Sequence, residues 1–184
     1  MVRPEVQTPA PRERSRALLV PAILPGDIAQ PIRGGLLRVV ENMEASLAVP
    51  TATSIRTVPV RTLEENRAIL NKHRAATAAS KVSFTHLTAW AILRALDTFP
   101  RLNDAYAEVE GRPHRIQRDE VRLGIAVDVQ KKDGSRTLLV PNIKKANTLG
   151  FAAFVAAFDD LVARARKGSI SPDDFMGTTL SLTN

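Results

Sequence analysis

The stretch VRLGIAVDVQKKDGSRTLLVPNI, residues 121–143, carries the clearest strand signal in the chain. Its two arms, Val121–Val129 and Arg136–Ile143, contain the apolar and β-branched side chains that are typical of strands. Lys132-Asp133-Gly134 lies between the arms, and an Asp-Gly pair between two such runs is a hairpin signal. We therefore predict two strands that turn back on one another at this pair.

Shorter runs of similar composition lie on both sides of this hairpin. They are bounded by glycine, proline or polar turn residues, as strands commonly are. Further strands are predicted over Thr51–Val60, Ala105–Val109, His114–Gln117 and Thr178–Thr183.

Two segments before the hairpin have helical spacing. A first helix is predicted from Ile32, ended by Pro50, because apolar residues three and four positions apart form one buried stripe. The stripe consists of Leu36, Leu37, Val40, Met43 and Leu47. A second helix is predicted to open with a capping box of Thr62 and Glu65 and to run to about Ala78.

Two later helices complete the pattern. One runs from Ser83-Phe84-Thr85 to Phe99-Pro100, and the other is predicted to begin with a Thr148 cap and to end at Gly168. A further helix start is predicted at Ser171-Pro172-Asp173-Asp174. Runs of strands beside helices indicate an α+β layer fold with a large antiparallel or mixed sheet.

The length of 184 residues corresponds to one domain at roughly 100–200 residues per domain. Residues 1–31 are interrupted by six prolines and are predicted to be a flexible, proline-rich tail, with the domain over residues 32–184. No apolar run reaches the roughly 20 residues that a membrane span needs. No secretory signal begins the sequence, so we expect a cytoplasmic location and no membrane partner.

The chain is basic, with 26 Lys and Arg against 19 Asp and Glu and a net charge of +7. Such a balance favours an anionic partner, which could be nucleic acid, an acidic protein or a phosphorylated cofactor. The basic residues are scattered, and only 4% of residues are aromatic, so no stacking surface for nucleic acid is predicted.

The sequence contains few groups that could carry chemistry. It has no cysteine, which excludes a disulfide, a thiolate zinc site and a cysteine nucleophile. Its three histidines lie far apart, and we expect no metal site. We expect His73 and His114 at the surface, whereas His86 could be either a packed core residue or a pocket residue.

Several segments, in unbroken order over residues 32–184, resemble the catalytic domain of the acyltransferase component of 2-oxo acid dehydrogenase complexes. They include Asn42–Ser46, Ser83–Leu87, Phe99–Asn103, Leu123–Val127, Leu139–Lys144, Gly168–Phe175 and Gly177–Asn184. Val49–Arg56, Lys132–Arg136 and Ser181–Asn184 are most similar to the succinyl-transferring domain of fused, actinobacterial-type 2-oxoglutarate enzymes.

The resemblance implies a chloramphenicol-acetyltransferase-like two-layer sandwich, with a mixed sheet and helices on one face, here incomplete at the C-terminus. It implies transfer of an acyl group, succinyl in the similar enzymes, between lipoyl-lysine and coenzyme A. The implied partners are a lipoyl domain that carries the lipoyl group and a thiamine-dependent decarboxylase. Homotrimers or higher assemblies, with active sites between subunits, are also implied.

Attack of a thiol on a thioester needs a base for the thiol proton and a donor for the oxyanion. In the family the donor is a hydroxyl just before an Asn-x-Gly turn, which corresponds to Thr183 before Asn184. The family's base is a histidine in an H-R-x-x-D-G motif, which this sequence does not contain. We therefore expect a truncated domain or fragment, or a base supplied by another chain.

Other interpretations remain open at this stage. The missing motif would also fit a non-catalytic trimeric scaffold or docking module of such a complex, and the net charge alone suggests a nucleic-acid binder. Lys144 and Lys145 could contact the phosphates of coenzyme A or could be a solvated pair. The sequence identifies no residue that binds the cofactor and does not identify the acyl group.

Overall fold

A computed structural model of the chain describes residues 22–130 and 134–183, and the chain divides into two units between Arg56 and Thr57. Residues 1–21 of the predicted tail, residues 131–133 of the predicted hairpin turn and Asn184 lie outside the described residues.

The described part of the first unit, residues 22–56, contains one helix, α1 (Gly35–Ser46). The predicted helix is confirmed, but the prediction that its apolar stripe is buried is wrong, since α1 has no buried residue. Leu36 and Met43 are 70% and 65% exposed.

The strand predicted over Thr51–Val60 does not form. Every residue of this segment is exposed, and none pairs with a strand. Strand propensity reflects the fit of a side chain to a pleated, half-buried surface, so an exposed segment without a neighbour gains little from its β-branched residues.

The second unit contains α2 (Arg61–Ala76), α3 (Phe84–Thr98) and α4 (Phe151–Lys167). The predicted capping box of α2 is wrong, because the N-cap is Val60 and no side chain caps the helix. Thr62 lies within the first turn, and the carboxylate of Glu65 accepts from Arg61 Nε at 3.2 Å instead of reaching back to Thr62.

The predicted ends of the later helices are partly confirmed. Ser83 caps α3, and Gly168 ends α4 in the left-handed region at φ 71°. The predicted Thr148 cap is wrong, because Gly150 is the N-cap and the Thr148 hydroxyl donates to the Lys145 carbonyl at 2.9 Å. Ser171 caps a short 3₁₀ turn, Pro172–Phe175, rather than an α-helix.

Within the described residues the strands form three small sheets rather than the one large sheet that the sequence predicts. They are β1 (Ala105–Val109), β2 (Arg112–Ile116), β3 (Leu123–Ile125), β4 (Val127–Gln130), β5 (Arg136–Leu139), β6 (Asn142–Ile143) and β7 (Leu180–Leu182). β1 pairs with β2, and β4 with β5, in antiparallel hairpins. In the third sheet β3 lies between β6, which is antiparallel to it, and β7, which is parallel.

Each arm of the central hairpin is therefore interrupted. The first arm breaks at Ala126 into β3 and β4, and the second breaks at Val140–Pro141 into β5 and β6. Hydrogen bonds bridge the break, since Ile125 N–H donates to the Pro141 carbonyl at 2.9 Å and Ala126 N–H to the Leu182 carbonyl at 3.1 Å. The predicted hairpin itself is confirmed by the pairing of Val127 with Leu139.

The core lies between α3, α4 and the strands β3, β4 and β6. Phe154 and Leu93 are completely buried, and Leu123 packs from the sheet side. Burial of a large apolar side chain contributes roughly 1.5–3 kcal/mol, so this contact fixes the two helices against β3. The first turn of α3 consequently lies close to the C-terminal end of β7.

Candidate active site

Thr183 follows β7 directly and lines a small cavity of about 130 Å³. The other lining residues are Leu182 and three from the first turns of α3: Phe84, Thr85 and Thr88. β7 is fixed at this point because its last residue, Leu182, pairs with Ile125 and accepts from Ala126 N–H. Thr183, the predicted hydroxyl donor, is therefore an exposed residue that borders a small cavity.

The start of α3 is held by a reciprocal cap. The Ser83 hydroxyl accepts from His86 N–H at 3.3 Å, and the Ser83 N–H donates to His86 Nδ1 at 3.1 Å. The Ser83 hydroxyl also lies 2.7 Å from His86 Nδ1. These bonds satisfy backbone donors that a helix start leaves free, and they fix the turn that carries Phe84 and Thr85.

His86 is both a core residue and a pocket residue, so both interpretations offered by the sequence hold. It is 5% exposed and its ring packs on Phe158 with centroids 4.1 Å apart, yet it also lines the larger cavity described below. Its Nε2 lies 3.1 Å from Asp159 Oδ1. Because Nδ1 accepts from Ser83 N–H, the ring proton is assigned to Nε2, which donates to Asp159.

The electrostatic setting of His86 keeps its ring neutral at pH 7. Burial lowers the pKa of His86 below its usual value of 6.5, and this effect outweighs the opposing attraction of Asp159. Asp159 is in turn held by Ser80, whose hydroxyl donates to Oδ2 at 2.6 Å.

A hydrolytic triad uses the same residue types as Ser83, His86 and Asp159. The hydrogen bonds between Ser83 and His86, however, are those of a helix cap. Nδ1 of His86 already accepts from the backbone of Ser83, and the Ser83 hydroxyl already accepts from the backbone of His86. A triad base needs a ring nitrogen that is free to take the proton of the nucleophile. His86 is therefore a positioning residue for the first turn of α3.

The other two histidines are exposed, as predicted. His114 lies on β2, where its Nδ1 is 2.9 Å from the Arg112 carbonyl, and His73 lies in the last turn of α2. Neither lines the pocket beside Thr183 or the larger cavity.

A larger cavity of about 640 Å³ also borders the start of α3, where Ser83, Thr85 and His86 line it. Thr85 lines both cavities, so the two share this residue. The charged residues that line the larger cavity are Asp128, Arg136, Asp159 and Arg166. Arg136 forms an ion pair with Asp128.

The two cavities differ in volume. Small-molecule sites typically measure about 300–1,000 Å³, whereas the pocket beside Thr183 has the volume of roughly four water molecules. The larger cavity suits an extended ligand and the smaller one an acyl-sized group.

The two lysines that the sequence singled out lie elsewhere. Lys144 forms an ion pair with Asp173, and Lys145 N–H donates to Glu120 at 3.2 Å. Neither lysine lines the two cavities next to Thr85. In residues 22–130 and 134–183, no cluster of three or more His, Asp or Glu side chains could hold a metal ion. No helix in this part of the chain is long and apolar enough to span a membrane.

Comparison with known proteins shows the family. Residues 25–184 match the family model described as 2-oxoacid dehydrogenases acyltransferase (catalytic domain). The multifunctional 2-oxoglutarate metabolism enzyme of Mycobacterium sp. (strain JLS) is 46% identical in an alignment of 167 residues that covers 89% of this chain. The chain spans only about 13% of the length of that relative.

Two solved structures have a similar fold. A probable dihydrolipoamide acetyltransferase from Listeria monocytogenes has a TM-score of 0.70 at 24% identity, covering 85% of this chain and 63% of that protein. The cubic core of the pyruvate dehydrogenase multienzyme complex has a TM-score of 0.68 at 25% identity, covering 88% and 67%. The chain belongs to the acyltransferase catalytic domains of the 2-oxoacid dehydrogenases.

Proposed function

We propose that this acyltransferase domain transfers a succinyl group between lipoyl-lysine and coenzyme A, with Thr183 as the oxyanion donor. The position of Thr183 carries this proposal, because this residue lines an acyl-sized pocket at the end of β7. The similarity to a 2-oxoglutarate metabolism enzyme supports succinyl as the acyl group.

The proposed step is a thiol–thioester exchange. The thiolate of coenzyme A attacks the carbonyl carbon of succinyl-dihydrolipoyl-lysine, forming a carbon–sulfur bond and a tetrahedral oxyanion. The Thr183 hydroxyl donates to this oxyanion, and such a bond strengthens as the negative charge develops. The intermediate collapses by breaking the bond to the lipoyl sulfur, which leaves as a thiolate and is protonated. The reaction is reversible with the same groups.

The thiol proton needs an acceptor from outside these 184 residues. The sequence contains no H-R-x-x-D-G motif, and both ring nitrogens of His86 are engaged by Ser83 and Asp159. A base contributes typically 10²–10⁴-fold to the rate of such a step. In its absence the reaction depends on thiolate formed in solution, which increases with pH toward a thiol pKa of about 8.5.

The larger cavity is the proposed place for an extended substrate arm. Its volume of about 640 Å³ fits a long ligand, and it meets the acyl-sized pocket at Thr85. Arg166 lines it, is exposed, and has no ion-pair partner among the described residues, so it is suited to bind a phosphate of coenzyme A.

The proposal also includes the detailed architecture of the domain, its assembly and its partner proteins. The core between two helices and the strands supports the chloramphenicol-acetyltransferase-like two-layer sandwich. The exposed apolar face of α1 supports assembly of the chain with copies of itself as a trimer or larger particle. The family membership supports a lipoyl domain and a thiamine-dependent decarboxylase as partners.

A non-catalytic scaffold is the second candidate, and the exposed apolar face of α1 favours it. An assay of the full chain distinguishes the succinyltransferase from the scaffold. It uses S-succinyl-dihydrolipoamide and coenzyme A at about pH 9, where a thiol is largely ionised. Formation of succinyl-coenzyme A above the uncatalysed rate is expected. Assembly without any catalysed transfer would instead support the scaffold.

A further inference from the structure

The outer edge of β7 is open. Among the described residues, β7 pairs with β3 on one side and with no strand on the other. Leu180 N–H donates to the Arg122 carbonyl at 3.4 Å and the Leu182 carbonyl accepts from Ala126 N–H, so both leucines direct backbone groups toward β3. Successive residues of a strand direct their backbone groups to opposite edges, so the N–H and C=O of Ser181 point outward. An open edge of this kind can pair with another strand.

β7 lacks the features that protect exposed edges from pairing. Natural edge strands are protected by charged side chains, by proline or by being very short. Every strand of the two hairpins contains a charged residue, namely Glu108 in β1, Arg112 and Arg115 in β2, Asp128 in β4 and Arg136 in β5. β6, at the opposite edge of the same sheet as β7, has two residues and is buried. Residues 178–183, by contrast, contain no charged residue and no proline.

The sequence around β7 is the same in both chain directions. Thr179-Leu180-Ser181-Leu182-Thr183 is a palindrome centred on Ser181. If two copies of this segment pair antiparallel about a twofold axis at Ser181, each residue lies opposite a residue of its own type. Threonine pairs and apolar pairs across two strands are favourable, and no like charges face each other. The segment is therefore complementary to itself.

We propose that β7 pairs antiparallel with β7 of a second copy of this chain, with the two Ser181 residues opposite each other. The outward N–H and C=O of Ser181 then form both hydrogen bonds of the central pair, and two three-stranded sheets join into one. Such a contact uses the same surface on both copies, as a twofold dimer requires. The pairing places Thr179 of the second copy next to Thr183, at the edge of the acyl-sized pocket. The inference does not depend on the proposed function, and it uses a surface other than α1.

Disulfide trapping tests this pairing, because the chain has no cysteine and a single introduced cysteine reports on one contact. Opposite residues in a hydrogen-bonded antiparallel pair have Cα atoms about 5.5 Å apart, which a disulfide can span. Under mild oxidation at micromolar concentration, Ser181→Cys is expected to form covalent pairs of chains at least about 10-fold faster than Ser169→Cys. Ser169 is the matched control, because it is an exposed serine outside the strands. With one cysteine per chain, the product on a non-reducing gel is a pair of chains, whatever other contacts join the copies.

Ser181→Lys and Ser181→Glu test the same contact without a covalent bond. Like charges that face each other across an interface are costly, so the pairs of either variant alone are expected to dissociate at least about 10-fold more readily. An equimolar mixture of the two variants places opposite charges face to face and is expected to restore pairing. Sedimentation measures the loss and recovery of mass. Thermal unfolding of each variant separates a loss of folding from a loss of pairing.

Two results would overturn the inference. If Ser181→Cys cross-links no faster than Ser169→Cys, the edge of β7 does not pair with its own copy and is open to a strand of another polypeptide. If the mixture of the two charged variants fails to regain the mass of the unaltered chain, the two Ser181 residues do not face each other. Neither result affects the proposed acyl transfer, which depends on Thr183.

Discussion

At the scale of single residues, His86 shows how a buried polar group serves a helix start. Its ring is neutral, accepts from Ser83 and donates to Asp159, so every ring nitrogen is satisfied. Asp159 follows 73 residues later in the chain. Nothing local in the sequence reveals that pairing, which is why the sequence left the role of His86 open. The cap at Ser83, by contrast, lies within three residues and was predictable.

The stability of the chain is expected to fall on acidification because of His86. Burial lowers the pKa of His86 in the folded state below 6.5, so the unfolded chain takes up a proton first as the pH falls. The free energy of unfolding therefore decreases as the pH drops from 6.5 toward the folded pKa. Urea unfolding between pH 7 and pH 5 measures this decrease, and His86→Gln should flatten it.

If the free energy of unfolding changed with pH in the same way in the unaltered chain and in His86→Gln, the assignment of this pH dependence to His86 would be contradicted. A gain in stability on acidification would show instead that the charge on Asp159 outweighs burial. Asp159→Asn separates these two effects, because it removes the attraction and leaves the burial of His86 in place.

At the scale of elements, local signals predicted helices and hairpins well and failed where the outcome depends on distant neighbours. The ends of α3 follow from Ser83 and from Phe99-Pro100, and β1 was predicted with its observed bounds. The segment Thr51–Val60 had the composition of a strand but pairs with no strand of the described residues, so it stays irregular and exposed. The breaks at Ala126 and Pro141 also arise from tertiary pairing.

Gly168 gives a direct test of how α4 ends. Its φ of 71° is in the left-handed region, where an alanine is strained and an asparagine is better tolerated. Gly168→Ala is expected to lower the free energy of unfolding by about 1 kcal/mol, and Gly168→Asn by less. Chemical denaturation measures both. Equal losses in the two variants, or no loss in either, would contradict the strained-backbone explanation.

At the scale of the whole molecule, the family membership rests on the match over residues 25–184. The candidate site lies where the end of β7 meets the first turns of α3. Thr183 could be singled out from the sequence only by resemblance, because an exposed threonine has no chemical signature. The pocket around it could not be predicted, since it combines β7 with residues of α3 nearly 100 positions earlier in the chain.

Assembly is expected to depend on the exposed stripe of α1. Leu36→Lys and Met43→Lys put charges on that face, where Leu36 is 70% and Met43 65% exposed in the single chain. If the stripe joins copies of the chain, both variants should shift sedimentation toward the monomer. Ala45→Lys is the control, because Ala45 is exposed and lies on the opposite face of the same helix. Unchanged particle mass in both stripe variants would exclude this face from assembly.

The central claim is that the Thr183 hydroxyl stabilises the oxyanion of acyl transfer. The measurement is the rate of succinyl transfer from S-succinyl-dihydrolipoamide to coenzyme A at about pH 9, where thiolate forms without a protein base. Thr183→Ser keeps the donor and should transfer at a rate close to that of the unaltered chain. Thr183→Ala should be slower by about 10²–10³-fold. Equal rates for the alanine variant and the unaltered chain would contradict the account.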